Sequence, residues 1–322
     1  RNAASQVVRL PPEILCAILR LLSGASRQGN TDLVHVTHVC RHLRAVAIAD
    51  SSLWTQVYVC GLPSVDRVVT FIKRSKARLL DIYFDFRRRP MRNFAPLART
   101  LLRSSSRLRS IVVDAQTTES IVNLFCLIKD ASAPHLETID LSATTTTPTH
   151  LDHFFQVSRN YAFEVFRMHT STTPSQRASV IHSPTPNLRS IRLKCSFGDI
   201  AWDSAVYQKL TELSVRAPLP SKRRLLEILK LCPELEILNL DARIRGVETS
   251  QYWVSEISSQ DRTWDVPLPK LTSIAIHHSG SNVGPDLLTH LILPSATSYT
   301  LTTGPSVHRA LPADLSRLPA LS

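Results

Sequence analysis

The chain has 322 residues and a mass of 36.0 kDa, enough for two ordinary domains or one small domain followed by a solenoid. Apolar residues make up 43% and charged residues 20%, so the chain can bury a core and is not a disordered tail. The net charge of +12 is concentrated: residues 61–110 hold 13 basic and 3 acidic side chains, whereas 111–322 hold 19 and 20.

The first 60 residues read as helices. Leu10-Pro11-Pro12-Glu13 opens the first, because proline fits a first turn and Glu13 is favourable near the positive end of the helix dipole. Ile14, Leu15, Ile18, Leu19, Leu21 and Leu22 follow at helical spacing, and Ser23-Gly24 ends the segment. After a polar loop over 24–30, Thr31 or Asp32 is placed to cap a second helix. Leu33, Val36, Val39, Cys40 and Leu43 share one stripe of it. A third apolar group, Val46 to Ile48, leads into Ser51-Ser52-Leu53-Trp54. Three such helices make a very small core, which expects a partner.

Leu10-Pro11-Pro12-Glu13-Ile14-Leu15, then Val39-Cys40-Arg41, then Leu53-Trp54 resembles an F-box, with its L-P-x-E-[IL]-[IL] … V-C-[RK]-x-W … L-W pattern. It is most similar to the F-box-like segments of fungal proteins. Leu43 stands where the family pattern has tryptophan. The resemblance implies docking on a Skp-type adaptor through Leu10, Pro11, Pro12, Glu13, Ile14, Ile18, Val39, Cys40, Leu43, Leu53 and Trp54. Of these, Leu10, Pro11, Ile14, Val39, Cys40 and Leu43 are expected to form one apolar patch.

A different period begins after Gly61-Leu62-Pro63. The frame Leu-x-x-apolar-x-apolar starts at Leu79, Leu108, Leu136, Leu188, Leu210, Leu235 and Leu271, with weaker copies at Phe163 and Ala296. Proline stands two residues ahead in Pro134-His135-Leu136, Pro186-Asn187-Leu188, Pro233-Glu234-Leu235, Pro269-Lys270-Leu271 and Pro294-Ser295-Ala296. Proline cannot continue a helix and biases its predecessor to extended geometry, so it separates helix from strand. Amphipathic stretches over 65–76, 97–102, 121–128, 225–231 and 287–292 are expected helices. Helix plus short strand at a period of roughly 27 residues is the leucine-rich-repeat signature. The predicted fold is therefore α/β. A three-helix F-box-like module (1–60) precedes an irregular leucine-rich-repeat solenoid of about nine repeats (61–322), strands concave and helices convex. Ser/Thr-rich stretches at 144–147 and 171–185 read as loops. Gln251-Tyr252-Trp253 and Trp264 belong to an insertion, and 311–322 to a cap or a truncated repeat.

Reaction chemistry is sparse. Gly24 and Gly29 have phosphate-loop spacing, but Asn30 replaces the lysine. Gly304-Pro305-Ser306 begins like a nucleophile elbow without its last glycine. His35, His38 and His42 share a helix with no carboxylate to complete a metal set. We expect no cofactor, no metal and no enzymatic activity. No C-x-x-C occurs among the 6 cysteines, which points to free thiols and a cytoplasmic or nuclear location. No apolar run approaches the roughly 18 residues of a membrane span, so no membrane partner is expected. Arg1 in place of methionine leads us to expect a fragment of a longer chain.

The residues between frame leucines point outward. They place Asp81, Asp85, Asp114 and Asp140 on early strands, Arg167, Arg192, Lys194 and Arg216 with Glu212 on middle ones, and Asn239, Asp241 and His277 on later ones. The four middle bases are the expected contact for an acidic or phosphorylated target. The resemblance implies a substrate receptor of a cullin–RING ubiquitin ligase, with Skp-type adaptor and cullin as partners. The alternative is an interaction scaffold whose F-box no longer binds the adaptor. Nucleic acid, through the arginines between residues 67 and 109, is not the expected partner, because no aromatics interleave them.

Overall fold

The computed structural model describes residues 9–24, 29–60, 65–87, 95–117, 120–121, 133–145, 187–194, 208–216, 222–241, 262–278, 287–294 and 298–303. Three helices come first: α1 (Pro12–Gly24), α2 (Gly29–Val39) and α3 (Arg41–Ala49). Pro12 is the first residue of α1, where its missing N–H costs nothing. Cys40 breaks α2 from α3 and caps the latter, its Sγ accepting from the Leu43 N–H at 3.4 Å. Leu43 therefore sits on the third helix, not on the second as the spacing implied. A single 3-10 turn, Ser51–Trp54, follows; Asp50 caps it by accepting from the Ser52 N–H at 2.9 Å.

Among the described residues nine strands form one parallel sheet, and their order in the sheet is their order in the chain. They are β1 (Gln56–Cys60), β2 (Leu80–Phe86), β3 (Leu108–Thr117), β4 (Thr138–Thr145), β5 (Ser190–Lys194), β6 (Glu212–Arg216), β7 (Ile237–Asp241), β9 (Ser273–His278) and β11 (Ser298–Thr303). The frame positions fall in register. Val57, Ile82, Ile111, Ile139, Ile191, Leu213, Leu238 and Ile274 form one row. Val59, Phe84, Val113, Leu141, Leu193, Val215, Leu240 and Ile276 form the next. These residues are buried, while the alternate positions are half-buried and face away from the core. An all-parallel sheet is usually covered on both faces; here, among the described residues, the alternation leaves one face open.

Helices α4 (Val65–Arg74), α5 (Ala95–Leu102) and α6 (Lys222–Lys230) precede β2, β3 and β7. Val68, Phe71 and Ile72 of α4, and Leu225, Leu226, Ile228 and Leu229 of α6, are the buried stripes that the 3.6-residue period requires. The expected helix over 287–292 is only partly so. Residues 287–288 are helical, but β10 (Leu291–Ile292) pairs in parallel with β8 (Val266–Pro267) in a small second sheet. Pro134, Pro233 and Pro269 each occupy the second position of a four-residue turn, which proline's fixed φ suits. The closing bonds are Leu136 N–H to Ala133 O (3.1 Å), Leu235 to Cys232 (3.2 Å) and Leu271 to Leu268 (3.2 Å).

Three expectations shift. The buried lead residue of β2 is Leu80, because the register slips between Leu80 and Asp81; Leu79 is only half-buried. Thr144 and Thr145 continue β4 instead of starting a loop, as β-branched residues favour. The strand β1 was not anticipated, although Trp54-x-x-Val57-x-Val59 obeys the same frame. One buried apolar cluster runs from Leu19 and Leu33 through Trp54 and Val59 to Leu293. The helices and the sheet thus share a core across the expected division at residue 60. The weak copy at Phe163 (with Arg167), the stretch 171–185, Gln251-Tyr252-Trp253, Gly304-Pro305-Ser306 and 311–322 lie outside the described residues.

Candidate functional site

Helix α1 carries two apolar stripes. Leu15 and Leu19, four residues apart, point inward and are buried. Ile14, Ile18, Leu21 and Leu22 form the second stripe, and it faces away from the protein: Ile14 is 49% exposed, Ile18 42% and Leu21 75%. Pro11, Pro12 and Glu13 are exposed at the start of the same helix, and Val39 is 64% exposed at the end of α2. Ile48 adds an exposed apolar side chain on α3. A helix that needs only one apolar face for its own core has no intramolecular use for the second. At an exposed site these side chains are the material of a protein interface.

The expected patch is therefore divided. Pro11, Pro12, Glu13, Ile14, Ile18 and Val39 are at the surface. Leu10 and Cys40 are half-buried against a small cluster made by Leu15, Leu43 and Val46. Leu43, Leu53 and Trp54 are buried and belong to the core, so none of them presents its side chain to a partner. For Trp54 the reason is explicit. Its Nε1–H donates to the Ala47 carbonyl at 2.8 Å, Phe71 meets its ring edge-on at 4.8 Å, and the Arg74 guanidinium lies 4.4 Å above it. Leu21, Leu22 and Ile48 extend the exposed surface beyond the expected residues. The signal for Leu21 was in the sequence, since it is seven residues from Ile14 and so on its face.

The second surface is the open face of the sheet. Of the middle bases, Arg192 and Arg216 are paired with acids there. Arg192 donates to both carboxylate oxygens of Glu212, at 2.6 and 2.7 Å, and lies 3.8 Å from Asp140. Arg216 lies 3.6 Å from Asp241 on the next strand. Lys194 is exposed, near Asp140 and Glu212. Further along the sheet Arg87 bonds Asp85 and approaches Asp114 at 3.9 Å, and Arg109 pairs with Asp81 at 2.5 Å. Tyr83 donates to Asp114, and the rings of Tyr58 and Tyr83 lie 5.4 Å apart. The pairing follows from register. Adjacent parallel strands bring acid beside base about 5 Å apart, and side chains of opposite charge pair across that gap.

Burial and pairing tune these carboxylates in opposite ways. Burial raises the Asp140 carboxyl above its ordinary value; Lys194 and Arg192 oppose the rise without cancelling it, and Asp114 and Glu212 add to it. Burial would raise Glu212 too, but bonds from Arg192 and Ser190 outweigh it and hold Glu212 below its ordinary value. Arg192, bonded to Glu212, is correspondingly raised. Arg192, Glu212 and Asp140 thus form one charge network across adjacent strands.

His38, at the end of α2, places Nδ1 3.3 Å from the Arg44 guanidinium, a poor neighbour for a metal cation. Among the described residues no three His, Cys, Asp or Glu side chains converge as metal ligands. Cys16, Cys40 and Cys232 are free thiols, and burial pushes Cys232 up to about 12. No helix among the described residues is long and apolar enough to cross a membrane.

The family model described as F-box-like matches residues 7–60, which span α1, α2, α3 and β1. No curated protein matches the chain.

Proposed function

We propose that this chain, with an F-box-like segment at residues 7–60, is the substrate receptor of a cullin–RING ubiquitin ligase. In this reading the segment docks on a Skp-type adaptor, the adaptor joins the cullin scaffold, and the remainder of the chain holds a target protein. The observation that carries it is the exposed stripe Ile14, Ile18, Leu21 and Leu22, unused by the core in the segment that matches the family. Together with Pro11 and Val39 it would supply one side of an interface of order 1,000–2,000 Å². The serial parallel sheet, with a strand at every described frame copy, supports reading the rest as a leucine-rich-repeat solenoid of about nine repeats whose open face is concave.

An acidic or phosphorylated target segment would meet Lys194 first and compete with Glu212 for Arg192 and with Asp241 for Arg216. Arg167, outside the described residues, completes the set proposed for the target. The chain supplies no reacting group in this account. It contributes proximity and orientation, while partners carry out ubiquitin transfer, in the cytoplasm or the nucleus. Co-expression with a Skp-type adaptor followed by gel filtration tests the reading. A stable complex that also recruits cullin is expected. A chain that elutes without adaptor while still holding a target would instead be a scaffold.

A further inference from the structure

A cationic patch lies where the helical segment meets the first turn of the sheet. Arg44 comes from α3, Lys73 and Arg74 from the last turn of α4, Lys76 and Arg78 from the turn after it, and Arg107 from the entry to β3. Hydrogen bonds fix several of these groups. Arg107 donates to the carbonyls of Arg78 at 2.8 Å and Ile72 at 3.4 Å, at the negative end of α4. Arg78 donates to the Ser51 hydroxyl at 2.8 Å, and Arg44 to the Thr37 carbonyl at 2.7 Å. Arg74 is held over the Trp54 ring. Among the described residues none of these six cations forms an ion pair with a carboxylate. The neighbouring acids are already engaged, Asp50 with Arg20 and Asp81 with Arg109. Burial, and then the like charge of Arg44, hold the Arg74 guanidinium below its ordinary value. Lys76 adopts a left-handed backbone, φ 54°, a conformation that glycine takes at less cost. This contrasts with the sheet face, where the ladder of charges is internally paired.

We infer that this patch is a docking surface for an acidic protein segment, a run of Asp and Glu that lies across Arg44, Arg74 and the turn 75–78. Fixed guanidinium groups bind carboxylates with little further ordering. A peptide is favoured over nucleic acid because Lys73-Arg74-Ser75-Lys76-Ala77-Arg78 offers no aromatic platform, and the Trp54 ring is buried beneath Arg74. The surface does not involve the α1 stripe.

The test is fluorescence anisotropy of a short labelled polyglutamate peptide with the full chain, at about 0.01 M and about 0.15 M salt. Binding is expected at low salt and should weaken at the higher. Two double variants are compared: Arg44→Gln with Arg74→Gln, and Lys73→Gln with Lys76→Gly. The second leaves the Trp54 contact in place, and glycine relieves the left-handed turn, so it should remain folded. Each should weaken peptide binding by roughly tenfold at low salt. Unchanged affinity in the second variant would overturn the inference. Tighter binding of a single-stranded oligonucleotide of equal charge than of the peptide would overturn it as well.

Discussion

Asp50 and Asp140 respond to folding in opposite directions, and that difference is measurable. Burial would raise the Asp50 carboxyl, but bonds from Ser52 and Arg20 outweigh it and hold it below its ordinary value. An acid depressed in the folded state stabilises at pH above its unfolded value and loses that contribution as pH falls through the folded one. Asp50→Ala should therefore cost about 1–2 kcal/mol at neutral pH, mostly through the lost cap, because the Arg20 side chain is exposed and its bridge screened. Urea denaturation should show the gap closing below about pH 4. Asp140 is raised on folding, so its charged form is the one penalised. The penalty is absent below the unfolded value, grows between the unfolded and folded values, and is full above the folded one. Asp140→Asn should accordingly stabilise the protein at neutral pH and be without effect in acid. A loss of stability at neutral pH would mean that Arg192 and Lys194 dominate the site.

At the scale of elements, the frame of one leucine and two apolar residues was readable, because a parallel ladder puts like positions in rows. What local pattern did not reveal was which neighbour each residue meets. The slip from Leu79 to Leu80 arises from the pairing of β2 with β3. The role of Trp54 follows from Phe71 and Arg74 on α4, residues that a pattern search assigns to another unit. The pairing of Arg192 with Glu212 is likewise a property of adjacent strands. The division of α1 into two apolar stripes was implicit in its spacing, but only the packing tells which stripe is left over. Leu43 illustrates the consequence. It fills a small buried cluster with Leu15 and Val46, so Leu43→Trp should overpack it and cost about 1–3 kcal/mol in thermal or urea unfolding. A variant of unchanged stability would show that the cluster repacks around the larger ring.

For the molecule as a whole, the helices and the sheet share one buried cluster. Trp54, Val57 and Val59 tie α3 and β1 to α4 and β2, so a partner held on α1 and one held on the open sheet face would be fixed on a continuous core. Such rigidity is what a receptor needs to orient a target. A receptor role requires the exposed stripe of α1 to be a docking surface. Its most direct test is calorimetric titration of a purified Skp-type adaptor into the full chain and into the Ile14→Glu, Ile18→Glu double variant. Circular dichroism should show both proteins folded, because neither side chain is part of the core. The wild-type chain should bind, and the variant should lose about 2 kcal/mol or more of affinity, roughly thirtyfold. Equal affinity for the two proteins would contradict that role.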